Sequence, residues 1–402
     1  MMSKPLGHRH IRTTIDADMP SIRALLDTSF GGRHTDNQFA AMWHNFSIDQ
    51  SLVAVTGQRL DGNLIGGTHY LTTPGGAEIT AAAATACAVN PIHRRQGVLR
   101  ALLTEFHHRA RAASIPMAIL MASQAGIYGR YGYGPCTRIT RITLDRSEIR
   151  WLPTTPDPGG AEFVSMDEAA ELVPEIYQRW RKQTPGAQLR PETAWAPYFG
   201  DGDDGRPAGS EYFVLIHPDG YAIYRYQWND QGGTIRVQEL RYLTPNAHAA
   251  LWRALAGMDP FYQIDAPVAA DDPLPYMLTD PRLVKLTYSR EGLWTRLLDI
   301  PTALQARTYQ HDIDVVIQVD DSHYGGTFEL SVRDGLAECT PTTKLSADIS
   351  LGIDVLSSLY FGGHRARNFA TANRLRARSM TILQTMDKAF TAEREPLLGW
   401  HF

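Results

Sequence analysis

Apolar and polar positions along the first 150 residues predict a strand, a helix, a meander, a second helix and a further strand. "IRTTIDADMPSIRALLDTSF", residues 11–30, reads as a strand, a turn capped by Asp16 or Asp18, and a helix with apolar Ile22, Leu25, Leu26 and Phe30. "SLVAVTGQRLDGNLIGGTHYLTTPGG" alternates short β-prone runs with Asp-Gly and Pro-Gly-Gly turns, as hairpins do. "AEITAAAATACAV" is nearly uniformly apolar and reads as a strand covered on both faces. The next helix carries Leu99, Leu102, Leu103, Phe106, Ala110 and Ala113 on one side, with Arg100, Glu105, His107 and Arg111 on the other. "PMAILMAS" is another buried strand, and "QAGIYGRYGYGP" a Gly-Tyr-rich loop.

A Pro-Gly-rich stretch, "WLPTTPDPGGAEF", marks a linker near residues 151–163, after which the same order returns. "DEAAELVPEIYQRWRKQ" is helical, "YFVLIHPDGYAIYRYQW" with "TIRVQELRYL" is a meander, and "TPNAHAALWRALAGM" is a helix. The last of these lies over "NPIHRRQGVLRALL" with the arginines and glycine missing, so the second segment reads as a degenerate repeat of the first. From Leu293 the texture changes to the strands "DVVIQVDD", "GTFELSVRDG" and "LAECTPT". Helices are expected in "SADISLGIDVLSSLYFGG" and "ATANRLRARSMTILQTMDKAF", ahead of the apolar tail "EPLLGWHF". The expected domains are 1–152, 153–292 and 293–402, in a mixed α+β chain of 402 residues.

Composition narrows the function. A net charge of −4 excludes a domain-scale basic surface for nucleic acid, so any anion site must be local. Three scattered cysteines fit a reducing compartment, and fourteen histidines show no metal-ligand spacing, so no metal is expected. "MMSKPLGHRH" lacks the apolar core of a signal peptide and no run approaches the roughly 20 residues of a membrane span, which places the protein in the cytoplasm, with secretion lacking a recognisable signal left open.

Within that frame, Arg94 and Arg95 oppose the positive end of the helix that follows them. An anion resolves the conflict: the arginines, the free N–H groups around Gly97 and Val98, and the helix dipole together suit a pyrophosphate. No Gly-Lys-Ser/Thr and no GxGxxG accompany them, which excludes a Walker or dinucleotide site. A solvated basic turn ahead of a core helix is the competing reading.

Arg/Gln-x-x-Gly-x-Gly/Ala between a buried strand and a helix resembles the coenzyme A turn of the GNAT acetyltransferases, here "RRQGVL" with Leu99 at the usually small last position. "AVNPIHRRQGVLRALL", "MASQAGIYGRYGYGP", the Arg179–Pro191 stretch and "IHPDGYAIYR" together resemble the enhanced intracellular survival (Eis) acetyltransferases over nearly the whole chain. The resemblance implies two GNAT-type domains, the second degenerate, and a C-terminal domain like sterol carrier proteins. It also implies acetyl-CoA lying along Cys87, Ala88 and Val89 and against Arg94, Arg95, Gln96, Gly97, Val98, Leu99 and Arg100, with Ser123 and Gln124 beside the pantetheine arm.

Acetyl transfer to an amine needs a base for the amine and an acid for the leaving thiolate. The Tyr-x-x-x-Gly spacing of the family falls on Tyr128 and Gly132, and a phenol is protonated at neutral pH. Tyr131 and Tyr133 compete for that role. By resemblance the base is the Phe402 carboxylate, with His401 as the alternative. Cys87 reads as a wall residue, because nothing in the sequence supplies a base beside it. The expected acceptor is a primary amine, first of an aminoglycoside, otherwise of a polyamine or protein lysine. "GGRHTDNQF" and His401 supply fewer acids than a polycation would favour; Asp36 reads as a solvated loop residue, and Phe30 and Trp43 as pocket or core aromatics. Family resemblance implies a homo-oligomer, a hexamer. The rival class is a lipid-binding or scaffold protein with a vestigial transferase domain.

Overall fold

The computed structural model describes residues 9–199, 210–229 and 232–402. Of the stretch read for a leader, all but Arg9 and His10 lie outside the described residues. From the N-terminus the elements are β1 (Arg9–Thr13), α1 (Met19–Phe30), α2 (Asp36–Ala41), β2 (Ser47–Thr56), β3 (Arg59–Thr72) and β4 (Glu78–Val89). After them come α3 (Val98–Ala112), β5 (Met117–Met121), α4 (Ala125–Tyr128) and β6 (Gly134–Pro135). β1 to β4 form an antiparallel meander, and α3 carries the chain over so that β5 lies parallel to β4. The small side chains of β4 follow from helices on both faces. Ala82 and Ala84 pack with Val98, Leu102 and Phe106 of α3, while Ala88 packs with Ile22 and Leu26 of α1.

Three local expectations change. Phe30 is 51% exposed, because α1 ends beside it at a left-handed Gly31. Asp18 stands at the N-cap of α1 without a cap bond and instead accepts both Arg12 guanidinium hydrogen bonds at 2.6 and 2.7 Å. His107, assigned to the polar side of α3, is buried and hydrogen-bonded at 2.8 Å to the Tyr133 hydroxyl.

The chain enters a second compact unit at Thr137. Its elements are β7 (Arg138–Asp145), β8 (Glu162–Val164), α5 (Met166–Arg181), α6 (Ala196–Phe199) and β9 (Phe213–His217). β10 (Gly220–Asn229), β11 (Gly232–Tyr242), α7 (Pro245–Ala256), β12 (Gln263–Val268) and β13 (Lys285–Glu291) complete it. β7 lies between β12 and β13 in this seven-stranded sheet, so the passage comes before the Pro-Gly-rich stretch expected to be the linker. The repeat is visible in the connection: β11 runs through α7 into a parallel β12, as β4 runs through α3 into β5. Residues 394–400 also belong to this unit, where the Gln188 amide oxygen accepts the Gly399 N–H at 2.8 Å.

The remaining elements are β14 (Leu293–Leu297), α8 (Ile300–Gln305), β15 (Ile313–Asp320), β16 (Gly326–Arg333), β17 (Leu336–Pro341) and β18 (Ile349–Gly352). α9 (Ile353–Leu359), α10 (Ala366–Thr371), β19 (Leu375–Ala377) and α11 (Met380–Phe390) follow. The two helical stretches expected here each contain a strand, β18 in one and β19 in the other, and the pair adds to a five-stranded sheet with β15 to β17. β14 inserts between β5 and β6 of the first sheet. Residues 293–393, with His401 and Phe402, therefore form one compact unit with the N-terminal segment. Among the described residues no helix is long and apolar enough to cross a membrane.

Candidate active site

β4 and β5 are paired only over Ala81–Ala84 and Met117–Leu120. Beyond that point β4 carries a bulge: its register with β3 shifts between Ile65 opposite Thr85 and Asn63 opposite Ala88, with Ala86 at φ +46°. The Asn63 amide donates to Ala86 O at 2.9 Å and fixes the distortion. A bulge bends its strand and leaves backbone groups outside the ladder, so Thr85 to Val89 present polar backbone where β5 no longer pairs.

Two expected site residues meet at this bulge. The Tyr128 hydroxyl and the Cys87 thiol are neighbours, and Tyr128 is buried with its ring edge-on to Tyr133 at 6.1 Å. Burial, then the proximity of Cys87 and Tyr133, raises the Tyr128 phenol above its ordinary value, so it is a protonated donor at every physiological pH. Burial pushes the Cys87 thiol up to about 12, against the opposing effect of the Tyr128 bond. A thiol held protonated is a poor nucleophile.

Phe402 also reaches β4. The Thr85 hydroxyl donates to its backbone oxygen at 3.3 Å, and its ring stands edge-on to His69 at 4.7 Å and tilted to Phe46 at 6.2 Å. Burial takes His69 down to about 4, partly offset by its hydrogen bond to the Asn45 backbone. His401 is exposed. Thr85, His69 and Phe46 were missed in the sequence, since their only signal is a position two strands or one loop away from the tail they receive.

The basic turn forms between the 3-10 turn Pro91–His93 and α3, with Arg95 at φ +62° and Gly97 at φ +80°. Gly97 is the N-cap of α3 and gives no side-chain bond, so the first N–H groups of the helix remain open, and a Cβ there would meet nothing within 4 Å. Arg94, Arg95 and Arg100 are exposed and their side chains pair with no group among the described residues, while Gln96 accepts from Arg9 through its carbonyl at 3.1 Å. These residues fit a diphosphate: open N–H groups, uncommitted guanidinium groups and backbone a ligand can approach. The equivalent end of α7 is closed, because the Thr244 hydroxyl caps the Ala247 N–H and Pro245 has none to offer.

Ser123 and Gln124 are exposed between β5 and α4, with Gln124 capping α4 without a side-chain bond. Val98 is buried, while Cys87, Val89 and Leu99 pack at the edge of the same core as Tyr128. Ala88 is the exception among the expected cofactor residues, since its side chain faces α1 and only its backbone can serve a ligand. Phe30 is exposed and Trp43 packs with Phe39 at 6.3 Å. Asp27 pairs with His34 at 2.6 Å and Asp36 with Arg23, so two acids near the early helices are already committed.

A bulged strand unpaired from its parallel neighbour beyond Ala84, an open helix N-terminus behind two arginines and a buried tyrosine fit the site expected of a GNAT acetyltransferase. Domain comparison agrees: an acetyltransferase (GNAT) domain matches residues 10–136, another matches 186–307, and a sterol carrier protein domain matches 300–399. N-acetyltransferase Eis of Mycobacterium tuberculosis (strain ATCC 25177 / H37Ra) is 43% identical over 330 residues, covering 80% of this chain and 81% of that protein. An uncharacterized N-acetyltransferase of Streptomyces griseus is 32% identical over 345 residues, 81% of this chain and 83% of its own length. The crystal structure of Eis1 from Mycobacterium abscessus matches with a TM-score of 0.87 at 30% identity, over 98% of this chain and 100% of that one. A GCN5-related N-acetyltransferase from Anabaena variabilis shares the fold at TM-score 0.85 and 19% identity, over 98% of this chain and 100% of its own. The chain belongs to the Eis family of N-acetyltransferases. It is an acetyltransferase, and its GNAT fold implies acetyl-CoA as the donor.

Proposed function

We propose that the protein transfers acetyl from acetyl-CoA to a primary amine, with an aminoglycoside as the acceptor class, by direct attack of the amine on the thioester. The Phe402 carboxylate takes the proton from the attacking amine, and the Tyr128 hydroxyl gives one to the departing thiolate. Arg94, Arg95, Gln96, Gly97, Val98, Leu99 and Arg100 hold the diphosphate end, the backbone of Cys87–Val89 aligns the pantetheine arm, and Ser123 and Gln124 flank it. The observation that carries the reading is convergence on one bulge: Phe402 accepts a hydrogen bond from Thr85, and Tyr128 adjoins Cys87, two residues further along β4. We further propose a cytoplasmic homohexamer, tested by light scattering of the purified protein.

Thiol release from acetyl-CoA, measured against kanamycin A, spermidine and lysine peptides with acceptor-free hydrolysis subtracted, tests the reading. Turnover with kanamycin A supports it, and turnover only with spermidine or peptides reassigns the acceptor. Silence with all three, together with no acetyl-CoA binding, removes the transferase mechanism and favours a carrier or scaffold role for the C-terminal domain.

A further inference from the structure

Arg296 lies on β14, the strand between β5 and β6 of the first sheet, and its side chain is 3% exposed. One arm, Nη1, donates to the Tyr131 carbonyl at 2.6 Å. The other, Nη2, donates to both carboxylate oxygens of Asp321 at 3.0 Å, and Asp321 in turn accepts the Tyr324 N–H at 2.7 Å. The Arg296 guanidinium also lies 5.3 Å from the Tyr324 ring centre. A fork held at both ends is more than a charge. It fixes the position of the carbonyl it grips.

That carbonyl sits in the turn that carries Tyr128. The turn closes through Gly132 N–H to Gly129 O at 3.0 Å and Tyr133 N–H to Tyr128 O at 3.3 Å. Gly132 has φ +80°, and a Cβ there would overlap Arg296 Nη1. The other side is held by the Tyr133–His107 hydrogen bond, with Tyr133 edge-on to Tyr128. Burial, then nearby Arg296 and His323, keeps His107 neutral. Stability alone is a poor reason for this pair, since a buried ion pair often does no better than apolar residues of the same size. Fixing a short, glycine-rich turn beside a reacting group is a better one.

We infer that Arg296, clamped by Asp321, is a positioning residue for Tyr128, so that Asp321, in the stretch matched by the sterol carrier protein domain, bears on the acid side of the reaction. The inference rests on Tyr128 being the acid. Arg296 touches no reacting atom. It holds the Tyr131 carbonyl, and through that turn it holds the Tyr128 hydroxyl at Cys87.

A double-mutant cycle on the full-length protein tests it, using Arg296→Lys, Tyr128→Phe and the pair, with whichever of kanamycin A, spermidine and a lysine peptide turns over fastest. Lysine keeps the charge and cannot grip both partners. Arg296→Lys should lower kcat tenfold or more, leave the KM for acetyl-CoA within about twofold, and cost nothing further in the Tyr128→Phe background. A wild-type kcat in Arg296→Lys, or an equal loss in both backgrounds, overturns the inference and leaves the acid assignment standing. Full turnover by Tyr128→Phe alone removes the acid assignment, and this inference with it. Should Arg296→Lys fail to fold by thermal melting, Asp321→Asn enters the same cycle with the same outcomes.

Discussion

The Thr85 hydroxyl donates to a backbone oxygen of Phe402 at 3.3 Å, joining residues 317 positions apart in the chain. Two residues further along β4, Cys87 adjoins the Tyr128 hydroxyl. One bulged strand thus receives both groups that the proposed chemistry requires, and Asn63, bonded to Ala86, maintains the bulge.

Tyr128→Phe removes the hydroxyl and keeps the ring against Tyr133. We expect kcat to fall about 10²-fold or more, in the range for loss of a positioned general acid, with little change in the KM for acetyl-CoA. Steady-state kinetics at saturating acceptor will read this directly, and an unchanged kcat assigns the acid elsewhere.

Appending one alanine after Phe402 turns its carboxylate into an amide carbonyl and pushes the charge outward. Turnover should drop by about two orders of magnitude or more while acetyl-CoA binding by calorimetry stays intact. Replacing His401 with Ala should leave at least half of the activity, and a collapse there instead would make the histidine the base.

Arg94→Ala and Arg95→Ala should each weaken acetyl-CoA binding about ten- to a hundredfold, since a charge-assisted hydrogen bond contributes about 1.5–3 kcal/mol, and leave kcat at saturation nearly unchanged. The loss should shrink at high salt, because both side chains are exposed and screening already weakens them there. Dissociation constants at low and high ionic strength check both statements.

His69 provides a pH test of stability. Its folded-state value, about 4, lies below the ordinary 6.5, so the unfolded chain binds the extra proton between them. Stability is therefore full above about pH 6.5 and falls as the pH drops toward about 4, by up to about 1.4 kcal/mol per pH unit from this residue. The urea midpoint should fall less steeply between pH 7 and pH 5 in His69→Gln than in wild type; equal slopes would show that His69 does not titrate differently on folding.

Much of the fold and part of the site are legible in the chain. The poly-alanine strand predicts β4 because only small residues fit between two helices, and "RRQG" predicts the anion turn because two arginines ahead of a helix lack any local reason to be there. His107 escaped that reasoning. Helical periodicity assigns a side from spacing alone, and a histidine at a polar position can still be buried when a tyrosine from a distant loop satisfies it. The passage into the second sheet was misplaced for a related reason, since proline and glycine mark where a strand stops but not which sheet it joins.

The sequence by itself determined most of the elements of the first two segments, the repeat, the basic turn ahead of α3 and the Tyr-x-x-x-Gly spacing, because each is written in neighbouring residues through propensity, periodicity and local hydrogen bonding. Only the tertiary structure decided that β14 lies between β5 and β6, that Arg296 grips the turn that carries Tyr128, and that Phe402 arrives at Thr85. Strand order and side-chain contacts across hundreds of residues depend on which distant surfaces are complementary, and no local pattern encodes that.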